Sequence, residues 1–221
     1  MLLYYITDRK ALPGTEAEQR HALLHRMAEA ARAGVDYIQL REKDLLPREL
    51  ERLACDAVAA IRDATLHTKL LINSRTDIAL ACGADGVHLP GGDLAASEVR
   101  TLWMKCDQRQ PVIGVSAHSV EDVRLAESHG ANFAVLAPIF EKAGTTAKAL
   151  GLAVLREACV PAKAPAVEGS GWQHFSVLAL GGMNLENARA CLHAGASGIA
   201  GIRLFQTGAL AEMVRRLREL R

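Results

Sequence analysis

Eight β-rich runs alternating with eight helical patterns predict a single closed α/β barrel, (β/α)8, for this chain of 221 residues. Two further observations support that reading. The phrases Ala33-Gly34-Val35-Asp36, Cys82-Gly83-Ala84-Asp85, His129-Gly130-Ala131-Asn132 and Ala194-Gly195-Ala196-Ser197 repeat one device, a helix end followed by re-entry into a strand. Half of the residues are apolar, yet no apolar run reaches the roughly 18 residues of a membrane span. A doubly wound open sheet is the alternative, but such sheets usually carry fewer βα units. Eight units fill nearly all of residues 1–221, so one domain is expected.

The elements follow in order. Strand run 3–7 leads to helical pattern 16–33, which Gly34 ends in the left-handed conformation that suits glycine. Strand run 37–41 precedes helix 47–62, where Pro47 fits a first turn. Runs 69–73 and 86–89 precede helices 77–82 and 95–103, the former closed by Gly83. Ser119, between strand run 112–116 and helix 120–129, stands ahead of Glu121-Asp122, acidic residues that favour a helix start. Run 133–137 and helix 150–159 form the sixth unit, and 177–180 with 185–194 the seventh. Between these two units, residues 161–174 are rich in Ala, Pro, Gly and Ser and read as a peripheral insertion. Run 198–202 and helix 209–220 come last; Leu210, Met213, Val214 and Leu217 give the latter an i, i+3, i+4, i+7 apolar stripe.

Composition excludes several functions. Twenty-six basic against 25 acidic residues leave a net charge of +1, which offers no footprint for nucleic acid. The N-terminal residues lack the layout of a signal peptide, so a cytoplasmic protein without a membrane partner is expected. Five widely spaced cysteines without a C-x-x-C pair indicate neither a disulfide framework nor a zinc site. His21 and His25 are four apart on a pattern that reads as a surface helix, not as a metal site.

Chemistry in a parallel barrel gathers where the strands end. Alternation along the second strand puts Gln39, Arg41 and Lys43 on one side and Leu40 and Glu42 on the other. Cations turned toward a barrel axis need a partner, either a bound phosphate or carboxylates of a structural layer. Asn73 and Asp93 end the third and fourth strands with oxygen donors for a hard cation, and Asp93 could equally cap the fourth helix. His118 after the fifth strand is either an acid/base group or a loop histidine donating to a backbone carbonyl. The loop 141–148 carries Thr145, Thr146 and Lys148, a composition suited to closing over a polar ligand. Gly181-Gly182 and the glycines of 198–201 suit backbone contact with a second phosphate.

These residues lie in phrases that resemble the thiamine phosphate synthase / TenI superfamily. The phrases are Tyr5-Ile6-Thr7-Asp8, Gln39-Leu40-Arg41-Glu42-Lys43, Ile72-Asn73-Ser74-Arg75-Thr76-Asp77, Ala84-Asp85-Gly86-Val87-His88-Leu89, Gly114-Val115-Ser116-Ala117-His118-Ser119, Pro138-Ile139-Phe140 and Leu180-Gly181-Gly182-Met183. The resemblance implies a TIM barrel. It also implies a transferase that couples hydroxymethylpyrimidine pyrophosphate to thiazole phosphate and releases pyrophosphate with Mg2+. On that pattern Gln39, Leu40, Arg41, Glu42, Lys43, Asn73, Ser116 and Lys148 hold the pyrimidine pyrophosphate, with Lys43, Ser116 and Lys148 carrying the chemistry. Thr145, Thr146, Gly182, Ile202 and Arg203 meet the thiazole phosphate, and Asp93 is a metal ligand. Ser74 stands where the family has a second metal-binding aspartate, three extra residues shift the threonine loop, and Arg203 replaces a usual serine. The TenI branch implies two alternatives: a thiazole tautomerase with His118 as its catalytic histidine, or a thiamine-precursor binder without turnover. The sequence leaves a homo-oligomer open.

Overall fold

A computed structural model describes residues 1–65, 67–141, 148–160 and 175–220. Thr145, Thr146 and the expected insertion 161–174 lie outside the described residues. Eight parallel strands close into a barrel in the order of the chain: β1 (Leu2–Ile6), β2 (Tyr37–Leu40), β3 (Lys69–Asn73), β4 (Gly86–Leu89), β5 (Val112–Ala117), β6 (Phe133–Leu136), β7 (Ser176–Ala179) and β8 (Gly198–Gly201). The helices between them are α1 (Glu16–Arg32), α2 (Pro47–Ala64), α3 (Thr76–Cys82), α4 (Ala96–Cys106), α5 (Val120–Ser128), α6 (Gly151–Ala158) and α7 (Leu185–His193). Two helices, α8 (Arg203–Gln206) and α9 (Leu210–Arg218), follow β8, and a 3-10 turn Arg9–Ala11 follows β1. The sequence patterns anticipated neither the 3-10 turn nor α8. Both are too short for the i, i+3, i+4, i+7 stripe by which a helix is recognised.

The chain falls into two compact units, one of Leu2–Val87 with Gly201–Arg221 and one of His88–Ala200 with Met1. In the first, the N-terminal unit, Tyr4 pairs Tyr37, Ile6 pairs Gln39, and Leu40 pairs Ile72. Its helices start on local chemistry. Thr15 caps α1: its hydroxyl accepts the Glu18 N–H, and the Glu18 carboxylate accepts the Thr15 N–H at 2.7 Å. Pro47 opens α2, whose buried face is Leu50, Leu53, Ala54, Ala57, Val58 and Ile61. In the second, the central unit, Gly114 pairs Phe133, Ala117 pairs Leu136, and Leu178 pairs Gly198. Ser119 caps α5 by accepting the Asp122 N–H at 3.0 Å, as its position before two acids predicts.

The repeated glycine phrase has a second function. Gly34, Gly83, Gly130 and Gly195 all take positive φ, and two residues later each chain returns to clamp the strand before. The N–H groups of Asp36, Asp85, Asn132 and Ser197 donate to the carbonyls of Leu3, Leu70, Ile113 and Val177. At three of the four, the side chain also accepts the N–H of that residue: Asp36 from Leu3 at 2.6 Å, Asp85 from Leu70 at 2.9 Å and Asn132 from Ile113 at 2.7 Å. Entry to each even strand thus secures the preceding odd one. All five cysteines are free thiols. Among the described residues no helix is long and apolar enough to cross a membrane.

Candidate functional site

In the N-terminal unit, β2 stops at Leu40, so the strict alternation expected through Lys43 ends three residues early. Arg41 is half-buried beyond the strand end, and Lys43 lies exposed in the following turn. Gln39 is buried, and its Nε2 donates to Asn73 Oδ1 at 3.1 Å across the β2–β3 pairing. Asn73 Nδ2 in turn donates to Ser74 Oγ at 3.1 Å. Ser74 takes φ +61, a left-handed conformation uncommon outside glycine, asparagine and aspartate. Arg75 is held by Asp77, with Nε to Oδ1 at 2.8 Å.

Glu42 has a different environment from its neighbours. Its carboxylate is buried, accepting the Thr7 hydroxyl at 2.6 Å, the Arg9 N–H and Arg9 Nη1 at 3.1 Å. Burial pushes its pKa up, against the Thr7 and Arg9 hydrogen bonds that pull it down. The Arg41 guanidinium and the Lys43 ammonium have no partner among the described residues, while the Arg41 N–H is held by Thr7 Oγ1 at 2.9 Å. Ile202 lies just past β8, and Arg203 opens α8 with an exposed guanidinium that is likewise unpaired among the described residues.

In the central unit, His88 at the end of β4 is buried, and its Nε2 lies 2.9 Å from Ser116 Oγ on β5. A Cβ at Gly114 would stand 2.8 Å from His88 Nδ1 and 2.5 Å from Phe133, so glycine makes room for this pair. Sequence reasoning singled out Ser116 but not His88. Gly114, two residues before Ser116 on the same strand, was the available signal, because an in-strand glycine marks a close approach.

Asp93 does not cap α4. That helix starts at Ala96 with Ala95 as its cap, and Glu98 accepts the Ala95 N–H at 3.0 Å. The exposed Asp93 carboxylate accepts only the adjacent Leu94 N–H, at 2.8 Å, among the described residues. His118 is exposed, with its N–H on Asp122 and its Nδ1 2.9 Å from the Ala137 carbonyl. A carbonyl only accepts, so Nδ1 carries a proton and donates it to Ala137. Lys148 is exposed, and Gly182 turns at φ +64 with its carbonyl accepting from Asn187 Nδ2 at 2.7 Å. Among the described residues no group of three His, Cys, Asp or Glu forms a metal cage.

Comparison with known proteins places the whole chain in one family. A family model described as thiamine monophosphate synthase matches residues 3–205. A relative from Aquifex aeolicus is 39% identical over 204 residues, covering 92% of this chain and 96% of its own. The thiamine-phosphate synthase of Syntrophomonas wolfei is 34% identical over 207 residues, with 90% and 85% coverage. Among solved structures, the thiamine phosphate pyrophosphorylase of Pyrococcus furiosus superposes with a TM-score of 0.76 at 28% identity, covering 99% of this chain and 94% of that one.

Proposed function

Because the chain belongs to the thiamine monophosphate synthase family, we propose that it couples hydroxymethylpyrimidine pyrophosphate to thiazole phosphate and releases pyrophosphate. The observation that carries this reading is Arg41: half-buried at a strand end, pinned through its backbone, and with a guanidinium that no described residue neutralises. A buried-edge cation without a carboxylate partner suits a polyanionic ligand.

In the reaction the pyrimidine methylene–oxygen bond breaks and pyrophosphate departs with the electron pair. The thiazole nitrogen then bonds to the electron-poor methylene. No proton must move in that exchange, so the protein's contribution is charge and position. Arg41 and Lys43 would stabilise the departing pyrophosphate, with Lys148 assigned the same task in the central unit. Gln39 and Asn73, already hydrogen-bonded, would orient the pyrimidine, and Ser116, fixed by His88, would donate to the phosphate chain. Leu40 and Glu42 support this segment from the buried side. Gly182, Ile202, Arg203, Thr145 and Thr146 are assigned to the thiazole phosphate.

Mg2+ fits this chain as a cofactor held mostly by substrate. Asp93 supplies one carboxylate and Ser74 only a hydroxyl that already accepts from Asn73, which is compatible with an ion bound through one carboxylate and phosphate oxygens. When bound, Mg2+ would neutralise charge on the leaving pyrophosphate.

His118 favours a second reading, a thiazole tautomerase, because its free Nε2 could pass a proton. One assay separates the two. Purified protein with Mg2+ and both substrates should form thiamine phosphate, and Lys43→Ala should abolish it. Tautomer interconversion lost in His118→Ala, with no coupling in the native chain, would establish the second reading instead. Thiazole phosphate binding without either activity would leave a binding protein.

A further inference from the structure

We propose that Arg9 is a positioning residue for the cation-bearing turn after β2, and so sets affinity for the pyrophosphate-bearing substrate. The inference rests on the coupling reaction proposed above. Arg9 is 2% exposed, and all five of its guanidinium N–H donors are used. Nε and Nη2 reach Glu16 on α1 at 2.9 and 3.2 Å. Nη1 donates to Glu42 at 3.1 Å, and Nη1 and Nη2 form a fork on Asp44 at 2.7 and 2.6 Å.

Glu42 and Asp44 flank Lys43, so one guanidinium grips the turn on both sides of that residue. The same network reaches Arg41: Glu42 accepts the Thr7 hydroxyl, and Thr7 Oγ1 accepts the Arg41 N–H at 2.9 Å. Two unpaired cations are therefore mounted on backbone fixed by an ion cluster with a buried Arg9–Glu42 centre and part-exposed Glu16 and Asp44 at its edge. Such a turn presents both cations with little ordering left to do on binding, which favours affinity. Lysine cannot replace Arg9, because a single ammonium point charge does not supply a planar five-donor fork.

Hydrogen exchange and steady-state kinetics test this on the full chain. Arg9→Gln should raise KM for the pyrimidine pyrophosphate by about tenfold, with kcat within about threefold and KM for thiazole phosphate unchanged. Amide exchange over residues 41–46 should accelerate by at least about tenfold, while β3 stays protected. Arg9→Lys should not restore either value. If Arg9→Gln fails to fold, Asp44→Asn, at a part-exposed carboxylate, should shift both readouts in the same direction by about threefold. Glu16→Gln, which loosens only the α1 side, should shift neither. Unchanged exchange over 41–46 would overturn the inference, as would equal rises in both KM values. If the native chain forms no thiamine phosphate, the functional reading falls and exchange over 41–46 alone decides the role of Arg9.

Discussion

Ser74, where the resemblance implies an aspartate, has a backbone that would suit one. Its φ of +61 is one that aspartate accepts more readily than most side chains. Ser74→Asp is therefore expected to fold and to tighten Mg2+ binding, measured by calorimetry with pyrophosphate present, by about tenfold. Unchanged affinity would mean that position 74 does not reach the ion. The glycines after β7 make the opposite case, in which geometry forbids a side chain. A Cβ on Gly181, at φ +104, would stand 2.7 Å from the Pro138 Cα, a backbone atom that cannot swing away. Gly181→Ala should cost about 2–4 kcal/mol in denaturant unfolding, from strain plus overlap. Gly208→Ala, at φ +67 with open space around it, should cost about 1–2 kcal/mol from strain alone. Residue types at strand ends marked Arg41, Asn73, Ser116 and Asp93 as candidates in the sequence. Glu42 was misleading, since nothing in its phrase reveals that Arg9, 33 positions earlier, folds onto it.

The elements were legible where they repeat. Every helix closed by a predicted glycine has that glycine at positive φ, because helix ends obey local chemistry. The clamp onto the preceding strand was not legible, since it joins residues 15 to 33 positions apart. It is nonetheless testable. Asn132→Ala leaves the N–H of Ile113, which is fully buried, without its 2.7 Å side-chain acceptor and should cost about 1–3 kcal/mol. Ser197 sits at the equivalent position but contributes through its backbone, so Ser197→Ala should change stability by less than about 0.5 kcal/mol. Equal losses at both sites would show that the side-chain half of the clamp adds nothing. The 3-10 turn Arg9–Ala11 escaped the sequence reading for the reason that makes it useful: its first residue is a buried arginine, and burial of a charge leaves no periodic signature.

At the scale of the molecule, counting βα units was enough to predict closure, because eight parallel strands with short connections form a barrel more readily than an open sheet. Charge balance was less informative, since a net charge of +1 hides how firmly individual carboxylates are held. Glu16 and Asp44 are held below the usual carboxylate range by Arg9, Asp77 by Arg75, Asp107 by Arg109, Glu212 by Arg215, and Glu18 by the Thr15 N–H. A carboxyl whose folded pKa is depressed stabilises the fold above its unfolded value, near pH 4, and loses that contribution as pH falls through the folded one. Glu42 works in the opposite sense: its raised pKa means that the folded chain takes up a proton first, which favours folding as the pH falls through that value. Six depressed groups against this one predict a melting temperature that is flat from about pH 8 to pH 5 and declines below about pH 4. Asp44→Asn removes one depressed group, so its melting temperature should start lower at neutral pH and fall less steeply in acid. Parallel acid limbs for the two proteins would mean that the ion pairs of Asp44 with Arg9 and Lys10 contribute nothing to folding, and that Arg9 holds the turn after β2 through Glu42 alone.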